Sequence, residues 1–405
     1  MNMESFLISS VWIASIIPAV VFLRNFFRYA TTLAPCKLGS SSKSSLSSSE
    51  KNSQDAGAGP ELSILIPARN EVERLPGLLE DLHQQKTLKQ IEIIVLDDES
   101  DDGTGELIER YSKLDSRIRR ISGSLLPTGW CGKQWACWNL ALQARGEWLL
   151  FLDADVRLNP GSVDSWLESA NRSGIALVSG IPRQITITFL EKLCIPLIHF
   201  VLLSFLPIWR MRRSTHPSYS AGCGQWMLAR SASYHEAGGH RAIASSMHDG
   251  ILLPKTFRKA GYKTDLMDLT PEASCRMYNS GKEVWEGLMK NATEGVAAPG
   301  RIVPITVILL AGQVAPWVLL ASLNLVSSEW VPYVISGAFA SILPRALAAW
   351  RYQQSWMSVL LHPVGILVFL AIQWTALTRF MMGRRIEWRG RGYPSSGEPV
   401  AEVEG

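Results

Sequence analysis

Glu147-Trp148-Leu149-Leu150-Phe151-Leu152-Asp153-Ala154-Asp155 is the stretch on which the fold turns. Five consecutive apolar residues, 148–152, are too few for a buried helix and suit a strand covered on both faces. Two carboxylates follow at alternate positions, where side chains on an extended chain point the same way. Such a pair suits a hard divalent cation that keeps other coordination positions for phosphate oxygens; taken alone, it suits capping of the next helix equally well.

The same grammar repeats on either side. Apolar runs at 62–67 and 91–96 precede helical patterns around 72–84 and 105–114; a helix near 134–144 leads into 148–152, and a helix after Pro160 leads to a strand at 176–180. This alternation predicts an α/β domain with a mostly parallel, Rossmann-like sheet, helices on both faces and ligands at the carboxyl ends of the strands. Those ends carry Pro67-Ala68-Arg69-Asn70-Glu71 and Asp97-Asp98-Glu99-Ser100-Asp101-Asp102-Gly103, so three strands deliver mainly anionic groups to one crevice. An anionic crevice does not hold bare phosphate; it suits a nucleoside, whose ribose and base offer donors, with a cation managing the diphosphate.

The combination Pro-Ala-Arg-Asn-Glu (67–71), Asp-Asp-x-Ser-x-Asp (97–102), Gly-Lys-x-Trp-Ala (132–136) and Asp-Ala-Asp (153–155) resembles the family-2 glycosyltransferases of GT-A fold, over about residues 62–298. The resemblance implies that Pro67, Arg69, Glu71 and Asp98 line the nucleoside site. Asp153 and Asp155 would form the metal and sugar-nucleotide motif with Mg2+ or Mn2+, and Lys133 would approach the donor from its loop. Inverting transfer to a hydroxyl needs a base near the acceptor, and a carboxylate suits the task. In this family an acidic residue supplies it, and Asp249, within Ser246-Met247-His248-Asp249-Gly250, holds that position, with His248 beside it.

Ala221-Gly222-Cys223-Gly224-Gln225-Trp226 resembles the acceptor-proximal segment of these enzymes, which places Gly224, Gln225 and Trp226 near the acceptor. Glycines there let backbone approach a ligand and Trp226 offers a stacking face; the alternative is a bulged strand with a buried Trp. The Gln/Arg-x-x-Arg-Trp motif of processive relatives is absent. Cys275-Arg276-Met277-Tyr278 and Trp388-Arg389-Gly390-Arg391 resemble instead the hopanoid-associated and carotenoid glycosyltransferase branch, with Arg276 and Lys290 as candidate diphosphate contacts. That branch implies a lipid acceptor, a carotenoid or other isoprenoid.

The 47% apolar content is concentrated at the chain ends, where 5–23, 302–328 and 355–378 carry no charge and are long enough to cross a bilayer. The chain therefore divides into an N-terminal anchor at 5–28, a Ser/Gly-rich linker at 36–60, the catalytic domain at 61–300, a C-terminal membrane region at 302–380 and a basic tail at 381–405. Within the domain, 192–209 is strongly apolar and is expected as a helix lying in the membrane surface. Arg24, Arg28, Lys37 and Lys43 after the anchor place the domain in the cytosol of an integral membrane protein. In the C-terminal region Pro344 and Arg345 interrupt 330–350, and two spans plus an interfacial or re-entrant segment would keep the basic tail inside. A net charge of +4 argues against nucleic acid, and six cysteines without paired or zinc spacing fit a reducing compartment. Two rival functions remain: sugar transfer to polyprenyl phosphate, with Arg210, Arg212 and Arg213 as cations, and a degenerate, non-catalytic membrane scaffold.

Overall fold

The computed structural model describes residues 3–29, 59–87, 89–290, 292–383, 386–388 and 391–393. Almost all of the 36–60 linker and most of the 381–405 tail lie outside the described residues. Helix α1 (Met3–Phe26) comes first, and an eight-stranded mixed sheet forms the centre of the catalytic domain. Its strands are β1 (Leu62–Ala68), β2 (Ile91–Asp97), β3 (Ile118–Ser122), β4 (Trp148–Leu152), β5 (Val156–Leu158), β6 (Leu177–Gln184), β7 (Trp226–Arg230) and β8 (Thr264–Cys275), in the order 3-2-1-4-7-6-8-5.

Strands β3, β2, β1 and β4 run parallel, so the carboxyl ends of β1, β2 and β4 open on one edge. Each of these three strands is buried almost throughout, which is why they read as continuous apolar runs rather than alternating ones. One face is covered by α2 (Leu75–His83), α3 (Thr104–Leu114) and α5 (Ser162–Ser173). The other is covered by α4 (Gly132–Gln143) together with α9 (Ser231–Glu236) and α10 (Asp249–Lys259). Strand β7 lies antiparallel to β4 with Trp226 opposite Leu152, which sets the turn before β7 beside Asp153.

The apolar run at 192–209 does not form one helix. It breaks at Pro196 into α6 (Phe189–Cys194) and α7 (Leu197–Phe205), followed by the short α8 (Ile208–Met211). Proline lacks an amide donor and its ring excludes a continuous turn. Helix α7 buries Leu197, His199, Phe200 and Leu203 against α1 and the C-terminal helices. Helix α11 (Gly281–Lys290) then closes the domain.

Among the described residues, 302–380 contain three stretches long and apolar enough to cross a membrane. The first, 302–321, joins α12 (Ile302–Leu309) to α13 (Ala315–Ala321) through a π turn. Gly312 in that turn meets Ala14 of α1 so closely that a Cβ would lie 2.3 Å from its carbonyl oxygen. The second, α14 (Val331–Arg351), runs unbroken through Pro344, contrary to the interruption expected there. Its neighbour Arg345 is fully buried and donates to Pro196 O (2.7 Å) and Ser358 Oγ (2.8 Å), which pins the helix where proline would loosen it. At the end of α14, Arg351 donates to Phe26 O and Tyr29 O (2.7 Å each) and pairs with Asp268 of β8 (3.5 Å), tying bundle to sheet.

After α15 (Met357–Leu360), α16 (His362–Met381) starts alongside the middle of the 302–321 stretch, where His362 meets Gln313 at 3.1 Å. It runs antiparallel to that stretch, with Trp374 Nε1 donating to Thr306 (3.1 Å), and ends among Val284, Met289 and Ala292 of the catalytic domain.

Candidate active site

A cavity of about 510 Å³ opens at the carboxyl ends of β1, β2 and β4. Pro67, Arg69, Glu71, Asp98, Lys133, Asp153, Asp155, Gly224, Gln225, His248, Asp249 and Lys290 all line it, so most of the side chains expected from sequence do converge.

The nucleoside side is built on two tight turns. Asn70 and Glu99 follow β1 and β2 in left-handed backbone (φ 54° and 56°), a conformation that costs free energy for residues other than glycine and is concentrated at functional sites. The Asn70 amide donates to Ser100 Oγ (3.0 Å), and Asn70 Oδ1 accepts from the Asp101 amide (3.1 Å), so the two turns brace each other. Arg69 donates to Asp98 O at 2.6 Å, and Asp98 faces the cavity. The neighbouring acids are structural: Asp97 is held by Arg120 (2.7 Å), and Asp102 accepts from the Val72 amide and from Thr104.

At the centre, the Lys133 ammonium stands between two carboxylates, 2.7 Å from Asp153 Oδ1 and 2.9 Å from Asp249 Oδ2. Lys133 enters from the first turn of α4 and Asp249 from the first turn of α10, where the helix dipole favours an acid. Burial opposes the Lys133 charge, but the two carboxylates outweigh it and hold its pKa well above the ordinary lysine value. Burial likewise opposes the Asp249 charge; the Lys133 cation prevails and brings Asp249 down to about 2. Gly224 packs on this carboxylate, where a Cβ would lie 2.2 Å from Asp249 Oδ1.

Asp155 behaves differently. Burial, with repulsion from Asp153 added, pushes it up to about 6, and its Oδ1 is buried without a hydrogen-bond partner. An orphaned carboxylate oxygen beside a second acid suits a divalent cation. Among the described residues no group of three or more His, Cys, Asp or Glu is disposed to hold a metal, so Asp153 and Asp155 offer a partial ligand set that phosphate oxygens would complete. On the remaining wall, burial first and the Lys133 charge second lower Lys290 to about 8.

Two expected residues do not join the site. Trp226 is fully buried on the opposite side of β7 with its ring 5.1 Å from that of Trp166, and cannot stack on an acceptor. Arg276 pairs with Glu191 (3.3 Å) and does not line the cavity, nor do Arg210, Arg212 and Arg213; Arg212 is spent on Asp265 (2.9 Å). Sequence reasoning missed the apolar half of the cavity. Leu197, Ile198, Val201 and Leu202 of α7, with Phe369 and Gln373 of α16, line the same cavity as the carboxylates.

Comparison with known proteins points to the same fold. Residues 63–225 match the family described as Glycosyl transferase family 2. The chain is 28% identical over 251 residues to the 4,4'-diaponeurosporenoate glycosyltransferase of Staphylococcus haemolyticus, covering 61% of this chain and 65% of that one. It is 25% identical over 349 residues to the protein of the same name from Staphylococcus aureus, covering 83% and 89%. Among solved structures, the mannosyltransferase from Pyrobaculum calidifontis in complex with GDP-Man and Mn2+ superposes with a TM-score of 0.52 at 15% identity, over 93% of this chain and 99% of that one.

Proposed function

This chain is a glycosyltransferase with a family 2 domain of GT-A fold, and from that premise we propose that it moves a hexose from a nucleotide-diphosphate donor, UDP-hexose by preference, onto an isoprenoid lipid dissolved in the membrane, with inversion. The observation that carries this is the mixed lining of one cavity, in which carboxylates and lysines share the space with apolar side chains of α7 and α16. A soluble acceptor would give no reason for the apolar part.

Arg69, Glu71 and Asp98 would orient the nucleoside, and Lys133 and Lys290 would face the diphosphate. Asp153 and Asp155 would hold Mg2+ or Mn2+, which when bound neutralises charge on the departing diphosphate. The acceptor oxygen attacks the anomeric carbon as the bond from that carbon to the diphosphate breaks, and the acceptor proton passes to Asp249. A diphosphate beside Lys133 draws its charge away from Asp249, which raises the basicity of that carboxylate when donor is present.

A carboxylate acceptor is the second reading. It is favoured by the low basicity of Asp249 in the Lys133 pair and by the relatives, named for transfer to 4,4'-diaponeurosporenoate, a carboxylate by that name. An ionised acceptor needs no base, so Asp249→Asn separates the readings: lipid labelling is lost for a hydroxyl and spared for a carboxylate.

The membrane arrangement we infer has three spans, α1, the 302–321 stretch and α14. Helices α15 and α16 re-enter from the side of the catalytic domain, because α16 begins halfway along a span and ends against the domain. The basic tail then stays with Arg24 and Arg28 on the cytosolic side.

The test is incubation of the purified protein with radiolabelled UDP-, GDP- and dTDP-sugars, divalent metal and a total lipid extract. Label from one donor entering the lipid phase, lost in Asp155→Ala, supports the proposal; donor hydrolysis with none reaching lipid overturns the acceptor assignment.

A further inference from the structure

Gln373 lies on α16, in a helix otherwise apolar enough to cross a membrane, and lines the cavity beside Phe369. It is 3% exposed, and its Oε1 is buried without a hydrogen-bond partner. Other buried side chains of the bundle also hold a polar atom without a partner, among them Arg345 Nε, Tyr352 OH, Gln354 Oε1 and His362 Nδ1, but of these residues and Gln373 it is Gln373 that lines the cavity. A carboxamide left incomplete in an apolar helix is costly, and because Gln373 lines the cavity a group that fills it is placed to supply the missing partner.

We propose that Gln373 is a specificity-determining residue that hydrogen-bonds an oxygen function, hydroxyl or carboxyl, at the polar end of an otherwise apolar acceptor; this rests on the proposed lipid acceptor. The surroundings fit that occupant. Leu197, Val201 and Phe369 accommodate the apolar body without a polar partner for it, while Gln373 supplies a hydrogen-bonding group within the same cavity. A carboxamide both donates and accepts, so it reads the presence of oxygen rather than its protonation state. A hydrocarbon lacking that oxygen leaves the carboxamide unsatisfied and is rejected by the same cost.

Gln373→Met is the informative variant, because it keeps length and removes only the polar group. With the radiolabelled nucleotide-sugar that the donor test above shows to be turned over, and phospholipid vesicles doped with the nonpolar lipid extract of the source cells, three quantities are read: label entering lipid, donor hydrolysis without lipid, and Tm. The proposal expects the extract concentration for half-maximal labelling to rise about tenfold, the loss of one hydrogen bond. It further expects labelling at saturating extract and donor hydrolysis within about threefold of wild type, and an equal or higher Tm, since an unsatisfied amide has gone. Half-saturation unchanged within about twofold overturns it, as does a fall in Tm accompanied by equal losses of labelling and hydrolysis, which marks a purely structural glutamine. If wild type hydrolyses donor but labels no lipid, the acceptor assignment itself fails, and this one with it.

Discussion

The Lys133 ammonium stands 2.9 Å from the Asp249 carboxylate, one helix N-terminus facing another across the cavity. Lys133→Met leaves Asp249 and Asp153 without their shared cation. Transfer is expected to fall at least about a hundredfold, from loss of a diphosphate contact and of charge balance together. Stability should fall by about 1–2 kcal/mol, less than for a wholly buried pair because Lys133 keeps 30% exposure. Paired transfer assays and thermal melts measure both; unchanged transfer would show the lysine to be a structural bridge only.

Gly224 sets a steric limit. In Gly224→Ala the new methyl would fall 2.2 Å from Asp249 Oδ1, and the carboxylate must move. Transfer should drop by about 10²-fold or more, within the range of a displaced general base, while UDP affinity stays within a few-fold. Equal losses of binding and transfer would place the effect elsewhere.

The Lys290 cation, lowered to about 8 by burial and by Lys133, should confer a pH dependence on nucleotide binding. Below that value the side chain is charged and attracts diphosphate; as pH rises through it the charge is lost, so UDP affinity should fall, approaching tenfold per pH unit. Lys290→Arg remains charged throughout and should bind with a flatter profile between about pH 7 and 9.5. Calorimetric titration of both proteins checks this.

Trp226 is expected to matter for folding and not for the acceptor. Trp226→Ala should cost about 3–5 kcal/mol through the cavity left against Trp166. Trp226→Phe, if it melts lower yet retains wild-type half-saturation for lipid, fits a core residue; a selective rise in that half-saturation would return Trp226 to the site.

The inferred topology places Glu329 and the tail on opposite sides of the membrane. A membrane-impermeant maleimide should label Glu329→Cys in intact cells and should label Ser396→Cys only after permeabilisation. Labelling of both in intact cells would make α16 a full span.

The sheet was legible because β1, β2 and β4 are continuous apolar runs that end in polar clusters, a pattern with few alternatives. Of the two readings of Trp226 the buried one holds, and strand register argues for it. Gln225 lines the cavity, and the next residue on an extended strand must face the other way. The pairing of Arg276 with Glu191, 85 residues away in sequence, leaves no local trace. Nor does the partnership of Arg345 with Pro196, which keeps α14 whole where Pro344 and a charge suggested a break. Gln373 stayed hidden because one glutamine in an apolar helix is unremarkable until the helix is seen to border a cavity.

The proposed lipid acceptor gives the wall shared by α7 and α16 a kinetic meaning. An acceptor reached along that wall is sampled from the plane of the bilayer, so its effective concentration is a mole fraction among lipids. Diluting the vesicles in buffer should leave the rate per enzyme unchanged, while diluting the acceptor with inert phospholipid should lower it. The donor, arriving from water, would obey the opposite rule, and on this proposal the enzyme sits where a two-dimensional reactant meets a three-dimensional one.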